Sequence, residues 1–281
     1  MSSVLLYGLR EKMGDLTATQ RKIARFILDY PSEAAFLTAT QLGDRLGVSQ
    51  STVVRFAVQL GFEGYPQMRA ALKDAIMDKL TTKDRLKSYS EEEPEGNICL
   101  HALHDDLEAL TKTIEDFNPA SIEKASQAIV AADHVYIVGH LSSGSLAYFL
   151  WYYLVWFFPN THLVDKTLAN ELFVNATERS LAIGISFPRY TRWTVETLGF
   201  AKKTGMNTVA ICSGYDSPMA DVSDVLISVP WKPLSFIDSF TAPMSVINCL
   251  LLNTARIMGP SVQEKLAKLE MMWKENEVYA D

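Results

Sequence analysis

The sequence predicts an all-α helix-turn-helix front part joined to a doubly wound α/β domain with a parallel sheet, and three observations carry that expectation. Short helical stretches punctuated by Pro31, Gly47, Gly61 and Pro66 fill residues 1–80. A polar stretch with three consecutive glutamates, Pro94 and Gly96, residues 81–97, lacks a periodic apolar face and reads as a linker. Beyond it, residues 98–281 alternate short Val- and Ile-rich runs with helical segments, the pattern required of strands covered on both faces.

Taken in order, Ile23, Phe26 and Ile27 share one face of an early helix. The segment from Ala39 to Phe62 follows, with Leu42 and Leu46 four apart, Gly43 where two helices cross and Gly47 at a tight turn. Val48, Val53 and Phe56 supply apolar contacts from the turn and the second helix. A helical stretch from about Ile98 to Ala132 leads into the apolar run HVYIVG, and further strands are expected at Leu181 to Ser186, Thr208 to Cys212 and Val225 to Val229. The run from Leu146 to Phe158 falls short of the ~20 residues that cross a bilayer and ends at Pro159, so it reads as a buried helix with no membrane role. It is apolar almost all round, which implies cover on a second side, either from its own subunit or from another copy.

Composition narrows the function classes. The 281 residues suit two domains, and 48% hydrophobic against 21% charged residues exclude wholesale disorder. Cys99, Cys212 and Cys249 are odd in number, widely spaced and form no Cys-x-x-Cys pair, which fits a reducing cytoplasm. The opening MSSVLLYGLREKMGD has no basic region ahead of an apolar stretch, so secretion is not expected. The net charge of −7 divides unevenly: residues 1–80 hold ten Lys/Arg and eight Asp/Glu, and the rest hold sixteen and twenty-five. A weakly basic front on an acidic body permits nucleic-acid contact through the front only.

In the front part Ser49 is placed to cap the second helix, leaving Gln50, Ser51, Thr52 and Arg55 off the packing face near its start. A major groove accepts such a helix: Gln pairs with adenine, Arg with guanine, and hydroxyls and helix-start amides hold phosphates. An ordinary helical hairpin is the plainer alternative, but turn, cap and core spacings agree together. VSQSTVVRF, from Val48 to Phe56, and LGFEGY, from Leu60 to Tyr65, resemble the hallmark stretches of RpiR/MurR-type bacterial transcription regulators, and TATQRKIARFILDYP resembles that family's first core helix. The resemblance implies binding of operator DNA as a homodimer or homotetramer.

In the back part, ligands of an open parallel sheet are expected beyond the carboxyl ends of the strands, where loops lead into helix starts. After VYIVG come Ser142, Ser143, Gly144 and Ser145, whose hydroxyls and amides can hold an anion. After LAIGIS, Ser186, Arg189, Thr191, Arg192 and Thr194 gather with two positive charges, and after TVAIC Ser217 is expected to cap a helix opened by Pro218. Serine-rich turns also arise for local reasons, and their recurrence after separate strands is what favours a site.

Residues from about Ser121 to Gly259 resemble the SIS, or sugar isomerase, domain, which implies a phosphosugar ligand. Gly139 and Ser143 match its Gly-x-Gly-x-Ser loop, and Ser186 and Thr191 match its Ser-x-Ser-Gly-x-Thr loop. Leu141 and Arg189 stand where those patterns have glycine, and Pro188 replaces the inner serine. Side chains there restrict close backbone approach to a phosphate, while Arg189 can offer a bidentate anion contact instead. The effector-binding set is therefore Ser142, Ser143, Ser145, Ser186, Arg189 and Thr191, for a sugar phosphate or another small anion.

His101 and His104 precede Asp105 and Asp106 but lack a third ligand at sensible spacing, so no metal and no cofactor are expected. His140, Glu171 and Glu196 leave open a sugar-phosphate isomerase with an accessory helical domain, although no convincing acid/base pair for that chemistry is visible. A third alternative, contact of the helical domain with another protein, predicts no salt-dependent DNA affinity. The reading adopted is a cytoplasmic, non-enzymatic, DNA-binding regulator that senses a small anion.

Overall fold

The computed structural model describes residues 2–77, 80–91 and 97–280. The chain divides into two compact units, Met1–Glu95 with Ser235–Ile237, and Gly96–Leu234 with Asp238–Asp281.

The first unit is helical: α1 (Ser2–Glu11), a short 3-10 turn (Lys12–Asp15), α2 (Ala18–Asp29), α3 (Pro31–Ala34), α4 (Ala39–Leu46), α5 (Gln50–Gln59), α6 (Tyr65–Ile76) and α7 (Thr82–Glu91). Reciprocal capping boxes open α2 and α4: Thr17 with Gln20, and Thr38 with Gln41. Each box occupies two amide donors that a helix start leaves without partners. Ile23 and Ile27 of α2, Leu42 and Leu46 of α4, Val53 and Phe56 of α5, and Met68, Leu72 and Ile76 of α6 bury one core, with Phe26 half-buried at its edge.

The polar segment expected as a linker contains α7, which is a correction. Its sequence shows no apolar stripe because the helix is held instead by Arg85, 2% exposed, whose Nε donates to the Met77 carbonyl at 3.2 Å. Leu80, just ahead of it, is buried in the same core. The stretch 92–96 of that expected linker lies outside the described residues.

The second unit opens with α8 (Ile98–Glu115) and α9 (Pro119–Ala131), so the single long helical stretch expected there is broken. Asn118 caps α9 and Pro119 starts it, and a proline at a helix start cannot continue the preceding helix. Then come β1 (Val135–Gly139), α10 (Ser143–Leu154), β2 (Thr161–Leu163), α11 (Ala169–Phe173), β3 (Leu181–Ile185), α12 (Arg192–Lys203), β4 (Asn207–Cys212), β5 (Val225–Ser228), α13 (Thr241–Met258) and α14 (Pro260–Glu275). The five strands are parallel in the order β2-β1-β3-β4-β5.

Alternate strand residues serve opposite faces, as the pleat requires. Val135, Ile137, Ile183 and Ile211 pack with α9, α10 and α13, whereas Tyr136, Val138, Ala182 and Ala210 pack with α11 and α12. Burying a side chain such as Ile183 contributes about 1.5–3 kcal/mol. The three-residue edge strand β2 has no counterpart in the sequence expectation. The aromatic helix α10 is buried through Leu146, Ala147, Leu150 and Leu154, while Tyr148 and Tyr152 stay exposed on the chain itself. Among the described residues no helix is long and apolar enough to cross a membrane.

At the amino ends of β1 and β2, His134 Nδ1 and His162 Nε2 lie 3.1 Å apart, a contact that needs one ring to accept. Burial, and then the charge of His134, hold the His162 imidazole below its ordinary value of 6.5. The folded state therefore favours neutral His162, whereas the unfolded chain takes up a proton below about that ordinary value. This stability is complete above it and is lost as pH falls toward the depressed folded value. Melting temperature is expected to drop between neutral pH and mildly acid pH, and His162→Gln should flatten that part of the profile.

Candidate functional site

In the first unit, α4 ends at Gly47, whose φ is +62°, and the chain turns directly into α5. The crossing depends on Gly43: a Cβ there would stand 2.7 Å from the Val48 carbonyl oxygen, a backbone atom that cannot step aside. Lys22 donates to the last carbonyl of α4, Leu46 O, at 2.6 Å, which fixes the turn from below. Ser49 caps α5 as the sequence predicts, accepting from the Thr52 amide at 3.3 Å. Its Oγ also lies 2.9 Å from Ser51 Oγ and 2.8 Å from Thr52 Oγ1.

Val53, Phe56 and Ala57 turn one side of α5 into the core. Ser49, Gln50, Ser51 and Arg55 are exposed on the other side, with Thr52 half-buried between the two. Arg55 Nε donates to Ser51 O at 3.3 Å, which lays the guanidinium along the first turn. All five residues singled out from the sequence thus lie together at the amino end of one helix. That end presents uncapped amides and a positive side chain to solvent, the chemistry that phosphate and guanine edges accept.

In the second unit, the strand order reverses direction between β1 and β3, so the loops that follow them leave the sheet on either side of a crevice. Gly139 ends β1 opposite Ile185 at the end of β3. A Cβ on Gly139 would meet Ala147 Cβ at 2.7 Å and Ser143 O at 2.8 Å, so α10 packs against the strand end only because that residue is glycine. Ser143 is buried at that junction, and Ser142 and Ser145 are exposed. Ser145 Oγ turns back to Ser142 O at 2.8 Å.

Across the crevice, Ser186 is buried and its Oγ accepts from the Thr191 amide at 3.4 Å. Thr191 Oγ1 lies 2.8 Å from Thr194 Oγ1 at the start of α12. Arg189 is exposed, as is Arg192, which forms a surface ion pair with Glu196 at 3.8 Å. The ion pair occupies a residue that an isomerase reading would use as a base.

Backbone geometry ties the two loops together. Among the described residues, the non-glycine residues with positive φ are Leu141 at +54°, Arg189 at +62° and Glu277 at +50°. Two of the three are the positions where the glycine patterns are broken. The loops adopt a glycine-type backbone at residues that carry side chains, at a strain of about 1–2 kcal/mol each.

Three further residues join the site without having been singled out. Tyr190 OH lies 2.5 Å from Ser213 Oγ, linking the loop after β3 to the loop after β4, and burial pushes its phenol up to about 12. Its neighbours in sequence, two arginines and two threonines, drew the attention that its polarity did not. Asp238, between β5 and α13, accepts from Ser142 Oγ at 3.1 Å across 96 residues of chain, a separation no local pattern reveals.

The expected helix after Ser217 is absent: residues 218–222 form turns, and the buried Ser217 Oγ lies 3.1 Å from Cys212 Sγ instead. Burial pushes the Cys212 thiol up, so it packs as a neutral group. Asp106, two residues after His104, accepts from Thr241 Oγ1 at 2.7 Å and from Ser239 Oγ, and so fastens α8 to the start of α13.

Comparison with known proteins follows the same division. The family description "Helix-turn-helix domain, rpiR family" matches residues 4–79, and "SIS domain" matches residues 128–253. An uncharacterized HTH-type transcriptional regulator of Caldanaerobacter subterraneus is 25% identical over 260 residues, 90% of each chain. Among solved structures, the sugar isomerase domain of an RpiR transcription factor from Sphaerobacter thermophilus is 28% identical with a TM-score of 0.57, covering 60% of this chain and 96% of that one. The Vibrio vulnificus NanR protein complexed with ManNAc-6P shares the fold over 99% of this chain and 100% of its own, with a TM-score of 0.60 at 19% identity. With the helix-turn-helix and the parallel-sheet domain each matched in its place, the chain joins a helix-turn-helix domain of the rpiR family to a SIS domain, as a transcriptional regulator of the RpiR type does.

Proposed function

We propose that this regulator reads operator DNA with the first turn of α5, through Ser49, Gln50, Ser51, Thr52 and Arg55, and senses a small anion between the loops after β1 and β3. The reading domain is assigned to residues 1–80 and the sensor to residues 98–281. The observation that carries the sensor is the pair of left-handed residues, Leu141 and Arg189, one on each side of the crevice. Strain persists in a fold where surrounding contacts over-determine it, and its placement at both loops of a switch point supports the reading of a binding site there.

Ser142, Ser143, Ser145, Ser186 and Thr191 supply hydroxyls and amides, and Arg189 supplies positive charge. NanR was solved with ManNAc-6P, so sugar phosphates are the first ligand class to test. The protein acts in the cytoplasm, as a homo-oligomer, without catalysing a reaction. Effector occupancy alters DNA affinity because the ligand binds one arrangement of the paired reading heads more tightly than another.

Asp238 makes this site selective. Its carboxylate already occupies Ser142 Oγ, so a bare dianion entering there meets a like charge. Asp238→Asn is expected to tighten inorganic phosphate binding about tenfold, on the order of 1.4 kcal/mol, as read by phosphate-induced melting shifts. Equal shifts in both proteins would remove Asp238 from the site.

The decisive experiment incubates the purified protein with a genomic fragment library at defined salt and excess nonspecific competitor. Enrichment of a roughly palindromic site, weakened or strengthened by a sugar phosphate, is the expected result. Turnover of a sugar phosphate with no site enriched would instead establish an isomerase.

A further inference from the structure

Two glutamines extend the polar face of α5 beyond Arg55. Ser51, Arg55 and Gln59 follow one another at four-residue steps, so Gln59 stands within about 40° of Arg55 around the helix and about 6 Å further along it. Like Arg55, Gln59 is exposed, while Val53, Phe56 and Ala57 fill the buried side. Gln20, the third residue of α2, reaches it: Gln20 Nε2 donates to Gln59 Oε1 across 39 residues of chain.

The direction of that bond is fixed from the backbone. The Thr17 amide donates to Gln20 Oε1 at 3.0 Å, and because a backbone N–H can only donate, the Gln20 atom facing it is the oxygen. The other end of the Gln20 amide is therefore nitrogen, a donor, and it needs the oxygen of Gln59. The Gln59 amide is held with Oε1 turned to Gln20, which leaves both N–H of Nε2 for a partner outside the pair. A glutamine alone on a surface turns either end outward; this one is committed to donate.

We infer that Gln59 is a further base-reading residue, donating through Nε2 to the acceptor edge of a guanine, with Gln20 as its positioning residue. In the major groove guanine alone shows two acceptors, N7 and O6, side by side. Adenine and cytosine set an amino group there, donor against donor. The inference rests on the reading of α5 as the helix that contacts DNA, and adds a residue beyond the five assigned to it.

Gln20→Glu reverses the arrangement without dismantling it. Glutamate serves equally well at the third position of a capping box, so the start of α2 is kept. A carboxylate only accepts, so Gln59 turns Nε2 toward it and presents Oε1 outward instead. An outward acceptor pairs with the amino group of cytosine or adenine.

The experiment selects DNA from a random library with the full-length protein at fixed salt and compares the base preferred at each position of the enriched site. The wild type is expected to favour guanine about tenfold at one position of each half-site that Arg55→Ala leaves unaltered. Gln59→Ala is expected to lose the preference at that position alone, and Gln20→Glu to move it to cytosine or adenine. Thr19→Glu adds the same charge at the neighbouring exposed residue without reversing the amide, and is expected to leave the preference as it was. A merely structural role for Gln20 would change melting temperature or overall affinity, and not the base chosen.

An unaltered preference in Gln59→Ala overturns the inference, as does a loss spread evenly over all sequences, which is the mark of a phosphate contact. Guanine still favoured by Gln20→Glu, or the same shift in both glutamate variants, removes Gln20 from its positioning role. If Arg55→Ala relaxes the site and Gln59→Ala does not, the reading of α5 stands and this inference alone fails. A wild type that enriches no site overturns both.

Discussion

Arg55→Ala is expected to lower operator affinity by about 10- to 100-fold, the ~1–3 kcal/mol that a bidentate contact to guanine supplies. Arg55 is exposed on the first turns of α5, outside the buried core of its unit; its Nε bond to Ser51 O orients the guanidinium rather than holding the helix. Stability and effector-induced melting shifts should therefore match the wild type. Salt titrations separate the two ways in which the residue can act. If Arg55 reads a base, the loss is confined to the specific site and nonspecific affinity barely changes. If it holds only a phosphate, specific and nonspecific affinity fall together and the slope of log K against log salt shrinks by about one. Full retention of operator affinity would remove α5 from the reading surface.

The second large effect is a divergence between two substitutions that do the same thing to the backbone. Leu141→Gly and Arg189→Gly each release a left-handed residue, recovering about 1–2 kcal/mol of strain against a loss of about 0.5–1 kcal/mol from the added chain freedom of glycine. Both variants should be slightly more stable than the wild type. Only Arg189→Gly also deletes a cation, and a charge-assisted hydrogen bond to an anion contributes ~1.5–3 kcal/mol. Its affinity for a sugar phosphate should fall about tenfold or more, while that of Leu141→Gly stays or improves as the backbone approaches the anion more closely. Isothermal titration with one sugar phosphate against all three proteins reads the difference. Equal affinities would place Arg189 outside the ligand's reach.

These outcomes bear on different parts of what the sequence makes legible. The helix-turn-helix is written locally: Leu42 and Leu46 one turn apart, Gly43 at the crossing, and Ser49 three residues before the amide that it caps. Each signal acts within a turn or two of chain, so reading them in order is enough. The strands β1, β3, β4 and β5 are legible for the same reason, because a strand buried on both faces must be a continuous apolar run. The matching of serines to loops after two of those strands follows from the strand ends alone.

Other features escape because their cause is distant. The edge strand β2 exists through pairing of three residues with β1, and nothing within Thr161–Leu163 demands it. Helix α7 is held by a buried arginine, a residue type that sequence patterns assign to solvent. The φ of Leu141 and Arg189 is hinted at only by the glycine that the matched loop patterns have at those positions, since the residue types present argue against the conformation that the loops impose.

By itself, the sequence determined the two-part architecture, the capped second helix with its five polar residues, and the strand-to-helix loops proposed to hold an anion. Only the tertiary structure decided the order in which the strands lie, the reversal that sets the loops after β1 and β3 on either side of one crevice, and the reach of Asp238 to Ser142. The physical reason is range. Periodicity, caps and turns are settled by neighbours a few residues away, whereas strand order and exposure are settled by which distant surfaces are left to bury one another.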